Sequence, residues 1–492
     1  MTTEADAFSP AQGSFRDPGG RLYCFHGRIL RVVEPSHAAS LEAFLSSRAA
    51  REATGHGSLV RSQRVPAGEY PELGASPEHG VWEHERIPFP SYPYEWPPEM
   101  LEAAAALTLD LAEAALEEGF GVKDATPYNI LFRGAQPVFV DVLSFERREP
   151  LDPTWLAYGQ FVRTFLLPLA AQRYFGLPVN QILSGQRDGI EPEMLYQWAG
   201  WLRRLTPPLL GLVSIPKWMA GRGEANVRSY RAQSYKIRPA GSPEQARFVL
   251  GGLLRSCRRQ LKALAPGEHK QSTWSGYLDH KSLYSAAQLE EKEKFVREAV
   301  DLILDRGKGL ARRSRVLDIG ANEGRFSLLA ARRGAEVVAI DSDPVVTGSI
   351  WRRAAAENLN ILPLVVDFTR PTPAVGWRNR ECASFLDRAA GNFDLVMMLA
   401  VAHHILVTER IPLEDLLALA DELSKEYVLI EFVAPADPMF QRIVRGRDEL
   451  YSHFSPAWFE AAARSRFELV RSARIDGLHR WLYLFRRRRA AN

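Results

Sequence analysis

The sequence predicts two units in tandem: an α+β domain first, then a doubly wound, mostly parallel α/β sheet. Three observations carry this. From residue 296 onward, β-prone runs alternate with amphipathic ones ("RVLDIG", "EVVAID", "ILPLVVDF", "FDLVMMLA", "YVLIEF"), the pattern of a parallel sheet covered by helices. Before 236 the strands are short, joined by turns, and give way to a helical stretch rich in Trp, Leu and Arg. Between the two, "KIRPAGSPEQ" (236–245) and "APGEHKQST" (265–273) carry the Pro/Gly/Ser signal of linkers around a basic helix. The expected organisation is a disordered polar N-terminus (1–20), an N-terminal domain (21–235), a linker with a basic helix (236–272) and a C-terminal domain (273–492). A chain of 492 residues accommodates two or three cores.

The N-terminal elements follow in order. "RLYCFHGRILRVV" (21–33) reads as a hairpin turning at His26-Gly27. "ERIPFPSYPYEW" (85–96) interleaves Phe89, Tyr92, Tyr94 and Trp96 with three prolines. That makes it rigid and broad-faced, either a platform for stacking ligands or a packed hinge strand. In 100–121, Leu101, Ala105, Thr108, Leu111, Ala112 and Ala115 share one helical face, and Gly119 and Gly121 end the helix. "NILF" and "PVFVDV" then form a second hairpin around Arg133-Gly134.

In the C-terminal domain the ligand belongs at the carboxyl ends of the strands. The first strand ends in the loop Asp318-Ile319-Gly320-Ala321-Asn322-Glu323-Gly324. Gly320 and Gly324 let backbone approach a ligand, and Asn322 suits a left-handed conformation. Asp341 closes the second strand about 20 residues on, the place of a carboxylate that grips ribose hydroxyls. A nicotinamide site asks for G-x-G-x-x-G facing a pyrophosphate. The acids Asp318 and Glu323 repel that group but suit an ammonium and a sulfonium. The loop therefore points to S-adenosylmethionine.

Residues 273–492 resemble a class I S-adenosylmethionine-dependent methyltransferase, with a Rossmann-like sheet. "VLDIGANEGRFS", "VVAIDSDP", "LVVDF" and "FDLVMMLAVAHHI" are similar to that family's first four motifs, in order and spacing. The resemblance implies that the Gly320–Gly324 loop cradles the methionine part, that Asp341 binds the ribose and that Asp367 lies beside the adenine amino group. It also implies that an aromatic segment with Trp274, Tyr277 and Tyr284 closes over the cofactor; an amphipathic helix packing on the sheet explains the same residues.

Methyl transfer is an in-line displacement governed by positioning. An oxygen nucleophile also gains from a base near neutral pH, for which histidine is suited. His403 and His404 follow the fourth strand, either as base, with His403 slightly favoured, or as a structural cap of the turn. Glu431, ending the fifth strand, is the next catalytic candidate.

"KDATPYNILFRGAQPVFVDVLSFE" places Asn129 five residues after Asp124, with Asp141 after a hairpin. This is similar to the catalytic loop and metal-binding Asp of protein-kinase-like folds. The departures are large: no glycine-rich loop lies near 21–33, Arg31 is the nearest stand-in for the phosphate-contacting Lys, and "DVLSFE" replaces D-F-G. The expected outcome is a kinase-like scaffold without phosphoryl transfer. The whole chain, including "SYPYEW" and "DATPYN", also resembles bacterial nodulation-protein-like methyltransferases linked to signal glycans. That likeness implies methyl transfer and hardly narrows the substrate; the expected reaction is O-methylation of a small-molecule or glycan-type acceptor. Its rivals are a bifunctional kinase and methyltransferase that caps a glycan, and a non-catalytic nucleotide-sensing protein.

Composition narrows the setting. A net charge of +3 gives no bulk signal for nucleic acid, and no nucleic-acid partner is expected. The run Arg486–Arg489 reads as a solvated tail. Cys24, Cys257 and Cys382 lie too far apart for a metal motif or a disulfide framework, so no metal is expected and a reducing cytoplasm fits. No apolar run approaches the ~18 residues of a membrane span, and no membrane insertion is expected.

Overall fold

The computed structural model describes residues 9–10, 17–73, 78–223, 239–267, 272, 284–307, 309 and 312–488. Contacts divide the chain into two compact units: Met1–Glu268 with Gly376–Cys382, and His269–Val375 with Ala383–Asn492. Tyr277 and Trp274 lie outside the described residues, as does most of the expected disordered N-terminus.

In the N-terminal unit β1 (Ser9–Pro10), β2 (Gly20–Phe25), β3 (Arg28–Val33), β4 (Ser62–Val65) and β5 (Gly80–His84) form an antiparallel sheet in the order β1-β2-β3-β5-β4. The predicted hairpin turns where expected. Phe25 pairs with Arg28, and His26 and Gly27 both take positive φ, the turn whose twist matches its strands. The Pro98–Glu117 helix buries the predicted face and stops at Gly119, φ 78°. After it come β6 (Phe120–Val122), β7 (Ile130–Arg133), β8 (Gln136–Phe139) and β9 (Phe145–Arg147), paired as β6–β9 and β7–β8. In the aromatic segment, Trp96 is fully buried, donates to Ser91 Oγ at 3.0 Å and meets Phe132 edge-on. Packing, rather than a free platform, accounts for Trp96 and for the buried Phe89 and Tyr94.

The expected linker needs correction. Its helix, Pro243–Leu264, buries Ala246, Leu250, Leu254, Cys257, Leu261 and Leu264, a stripe at helical spacing. Arg258 on it pairs with Asp110 at 2.7 Å and Glu113 at 2.8 Å on the Pro98–Glu117 helix. Turn residues on either side mark where a helix ends, not whether a domain does.

The second unit is a seven-stranded sheet of β10 (Arg315–Ile319), β11 (Glu336–Asp341), β12 (Ile361–Val365), β13 (Phe393–Met398), β14 (Ser424–Val433), β15 (Phe467–Arg474) and β16 (Arg480–Arg487). The order is β12-β11-β10-β13-β14-β16-β15, with β10 to β14 parallel and β16 antiparallel to both neighbours. The five predicted strands are all present. The strand order reverses beside β10, and such a reversal opens a crevice at the strands' carboxyl ends. Arg486 and Arg487 are not tail residues: they lie in β16 and pair with Glu426 at 3.0 Å and Asp421 at 2.6 Å.

Candidate functional site

After β10, the backbone N–H groups of Gly320 and Ala321 both donate to the Ile340 carbonyl, at 2.9 and 3.0 Å. This pins the loop over β11. Gly320 has φ 70°, and a Cβ there would stand 2.9 Å from Val401 Cγ2. Asn322 takes the left-handed conformation expected of it, φ 51°. Gly324, φ 77°, caps the Arg325–Arg332 helix, with Ile350 filling the space a Cβ would need.

Asp341 is tied to the same loop. One of its carboxylate oxygens accepts from Asn322 N–H at 2.9 Å, the other from Asp343 N–H at 3.0 Å. Burial pushes its carboxyl up to about 6, while those N–H groups pull it down. Asp318, almost wholly buried, accepts from Ser327 Oγ at 2.6 Å. It too is raised to about 6 by burial, against the opposing pull of Ser327 and the Lys292 charge. Asp367 accepts from the Thr369 N–H at 2.9 Å and hydroxyl at 2.7 Å. Burial works to raise it, but these bonds and Arg370 outweigh burial and hold it below the usual range. Asp318, Gly320, Asn322, Asp341 and Asp367 all line one cavity of about 300 Å³, and Gly324 stands behind it as the helix cap.

Residues 287–489 match the family model of a methyltransferase domain. The C-terminal unit is a methyltransferase domain. The nodulation protein NoeA of Rhizobium meliloti (strain 1021) is 29% identical to the chain over 480 residues, covering 96% of this chain and 95% of its own. Among solved structures, the bifunctional kinase-methyltransferase WbdD shares 19% identity over 46% of this chain and 45% of its own, with a TM-score of 0.30. The N-methyltransferase NodS of Bradyrhizobium japonicum WM9 shares 15% identity over 42% of this chain and 99% of its own, also at 0.30. The match therefore spans under half the length of WbdD.

The methyltransferase domain separates its two histidines. His404 lines the cavity. His403 is 3% exposed, and neither ring nitrogen has a hydrogen-bond partner. Burial, and then the charges of His404, Arg480 and Lys292, drive it well below the ordinary histidine value. The sequence slightly favoured His403 as the base, whereas in the structure His404 is the one of the two that lines the cavity. The reason is helical: both lie in the Ala402–Val407 helix, where successive side chains point about 100° apart. Burial and the Arg480 charge also lower His404, which keeps its imidazole neutral at pH 7.

Glu431 does not reach the cavity wall. It is fully buried, 2.6 Å from Lys292 Nζ and 3.6 Å from Arg480 Nη1, and it accepts from the Tyr284 hydroxyl. Arg480 also donates to Tyr284 Oη at 2.7 Å and clamps Asp437 at 2.7 and 3.0 Å. Burial raises Glu431, but the two cations outweigh it and hold the carboxyl below its usual range. Glu431 is thus an internal counter-ion, and Tyr284 and Lys292, which it supports, face the cavity. Lys292 was missed from the sequence, although a signal was there. It stands on the buried stripe of its helix with Phe295, Val296, Ala299, Val300 and Ile303, where a charge needs a partner.

The kinase-like residues of the N-terminal unit converge as well. Asn129 Nδ2 donates to the Asp124 carbonyl at 2.9 Å and to Ser144 Oγ at 3.2 Å. Ser144 Oγ donates to Asp141 at 2.5 Å, and Arg31 Nη1 lies 3.1 Å from Asp141 and 3.3 Å from Asp17. Burial and the Asp141 charge raise the Asp124 carboxyl. These groups border a cleft of about 1040 Å³ within that unit.

Proposed function

We propose that the chain is an S-adenosylmethionine-dependent methyltransferase that acts on a hydroxyl of a small-molecule or glycan-type acceptor. The observation that carries this is the Asp318–Gly324 loop, whose Gly320 leaves no room for a side chain and whose backbone is bonded to Asp341. These residues fit the cofactor: a close-approach backbone, a carboxylate for the ribose, and a buried acid under the loop that favours a cation. When bound, S-adenosylmethionine supplies a methyl group on a cationic sulfur. Asp341 has further lone pairs for two ribose hydroxyls, and Asp367, on the same cavity wall, would take the adenine amino group.

His404 carries the preference for oxygen. A hydroxyl sheds its proton as the new C–O bond forms, and a neutral imidazole on the cavity wall accepts it. The resemblance to nodulation-protein-like methyltransferases supports a glycan-type acceptor, with the N-terminal unit helping to select it. The three cysteines, far apart in the sequence, fit work in the cytoplasm. No helix of the described residues is long and apolar enough to cross a membrane.

In the N-terminal unit, Arg31 already neutralises Asp141, and Asn129 is engaged by Asp124 and Ser144. This supports a scaffold without phosphoryl transfer, since that chemistry needs the acid and amide free for metal ions. The test is mass spectrometry of cell extract incubated with the enzyme and methyl-labelled cofactor, with calorimetry of cofactor binding beside it. Label in a hydroxyl-bearing product is expected. Tight binding of a nicotinamide cofactor with none of S-adenosylmethionine would sink the reading.

A further inference from the structure

The N-terminal unit exposes apolar side chains in a way that neither cleft explains. On the Pro192–Trp198, Trp201–Arg204 and Ile215–Gly223 helices, Trp201 is 70% exposed, Trp218 45% and Trp198 43%, with Leu202 and Met219 equally open. The three helices neighbour one another through the Leu210–Ser214 turn, and ring contacts link several of their side chains. Trp218 Nε1 donates to Tyr196 Oη at 3.3 Å, and the Arg204 guanidinium lies 4.0 Å over the Tyr196 ring. Trp198 meets Phe175 edge-on, and Arg203 lies over the same Phe175 ring.

Charge identifies the occupant. From 194 to 223 the sequence holds four Lys or Arg and no acid, in a chain whose net charge is only +3. Arg203 and Arg204 share the Trp201 helix and Lys217 precedes Trp218, so positive charge accompanies the exposed tryptophans. Indole rings favour the water–lipid boundary, where an apolar body and a polar N–H are both satisfied. Neighbouring Arg and Lys bury their stems and keep their charge at the headgroups. Exposed Leu202, Met219 and Ile215 weigh against nucleic acid, because aliphatic chains do not stack on bases.

We propose that this patch docks the protein onto an anionic lipid surface, lying on the bilayer without crossing it. The docking stands independently of the methyl-transfer reading. It keeps the protein at a surface where membrane-bound or amphiphilic molecules collect.

The experiment is co-sedimentation of the full chain with vesicles of phosphatidylcholine alone or mixed with phosphatidylglycerol. Binding is expected only to the anionic vesicles, weakening as salt rises. Trp201→Ala with Trp218→Ala should lower partitioning by about tenfold or more, and Arg203→Glu with Arg204→Glu should remove the preference for anionic lipid. Calorimetry of S-adenosylmethionine should be unchanged in both, which shows the variants fold; circular dichroism checks the same point if the cofactor does not bind. Equal binding to both vesicle types, or undiminished binding by the tryptophan variant, overturns the proposal. So does a dimer seen by ultracentrifugation, lost in that variant, with no vesicle binding; the patch then belongs to a second copy of the chain.

Discussion

In the methyltransferase domain Asp341 is held by backbone N–H groups, and burial raises both it and Asp318 to about 6. In the N-terminal unit Asp141 is held by a guanidinium and a hydroxyl. Both sites place acids where a strand gives way to a loop, beside a cleft. They differ in where the compensating charge comes from. Asp141 has a cation, Arg31, within the fold, shared with Asp17. The acids around the Gly320 loop offer their charge to a cationic ligand. Acid and amide spacing alone does not distinguish a working site from a self-neutralised one.

The largest expected effect tests the cavity of the methyltransferase domain. His404→Ala should lower turnover by ~10²–10⁴-fold, the usual worth of a general base, with cofactor affinity barely changed. His403→Ala should instead lower the melting temperature through a lost buried ring. Equal losses of turnover and cofactor binding in both variants would return the histidines to a structural role.

Next comes the charge network beneath the cavity. Lys292→Met leaves Glu431 short of its nearest cation and should cost ~3–5 kcal/mol of stability by denaturant melts. Adding Glu431→Leu should recover most of that, because Arg480 keeps Asp437. A double variant no more stable than Lys292→Met would show that Lys292 is held by something other than this pair.

Asp341→Ala should weaken S-adenosylmethionine by a few kcal/mol at most in calorimetry, given ~1.5–3 kcal/mol for each hydrogen bond to a charged group. A pH series sharpens the same point. Because Asp318 and Asp341 are raised to about 6, the folded protein holds protons there that the unfolded chain has released. Their contribution to stability therefore favours lower pH and is lost as pH rises through about 6. Cofactor affinity should run the opposite way, rising through that window, with proton release on binding near pH 6. Affinity that is flat across it would separate these acids from the cation.

The smallest effect is expected in the N-terminal cleft. Asp124→Asn should leave methyl transfer near wild type, and ATP with magnesium or manganese should yield no phosphorylated product. Phosphorylation of the acceptor, abolished by Asp124→Asn, would erase the contrast between the clefts and promote a bifunctional capping enzyme.

Much of this architecture was legible locally. A strand, a glycine-spaced turn and an acid about 20 residues on are read within one βαβ unit, so Gly320, Asn322 and Asp341 were found by spacing and chirality. The hairpin at His26-Gly27 and the helix stop at Gly119 were equally local, since positive φ is a property of single residues. The β15–β16 pair escaped because the edge strand β15 is mostly exposed and reads as polar. The Pro243–Leu264 helix was misassigned because its apolar stripe shows a face without showing its partner.

The sequence by itself determined the five parallel strands and the Gly320 loop, because each depends on backbone period and on residues a few positions apart. Tertiary structure decided which histidine reaches the cavity, that Arg31 occupies Asp141, and that Tyr284, Lys292, Glu431 and Arg480 meet although Tyr284 and Arg480 lie 196 residues apart. A buried charge is tolerated only where an opposite one arrives from another element, and no local pattern records which element that is.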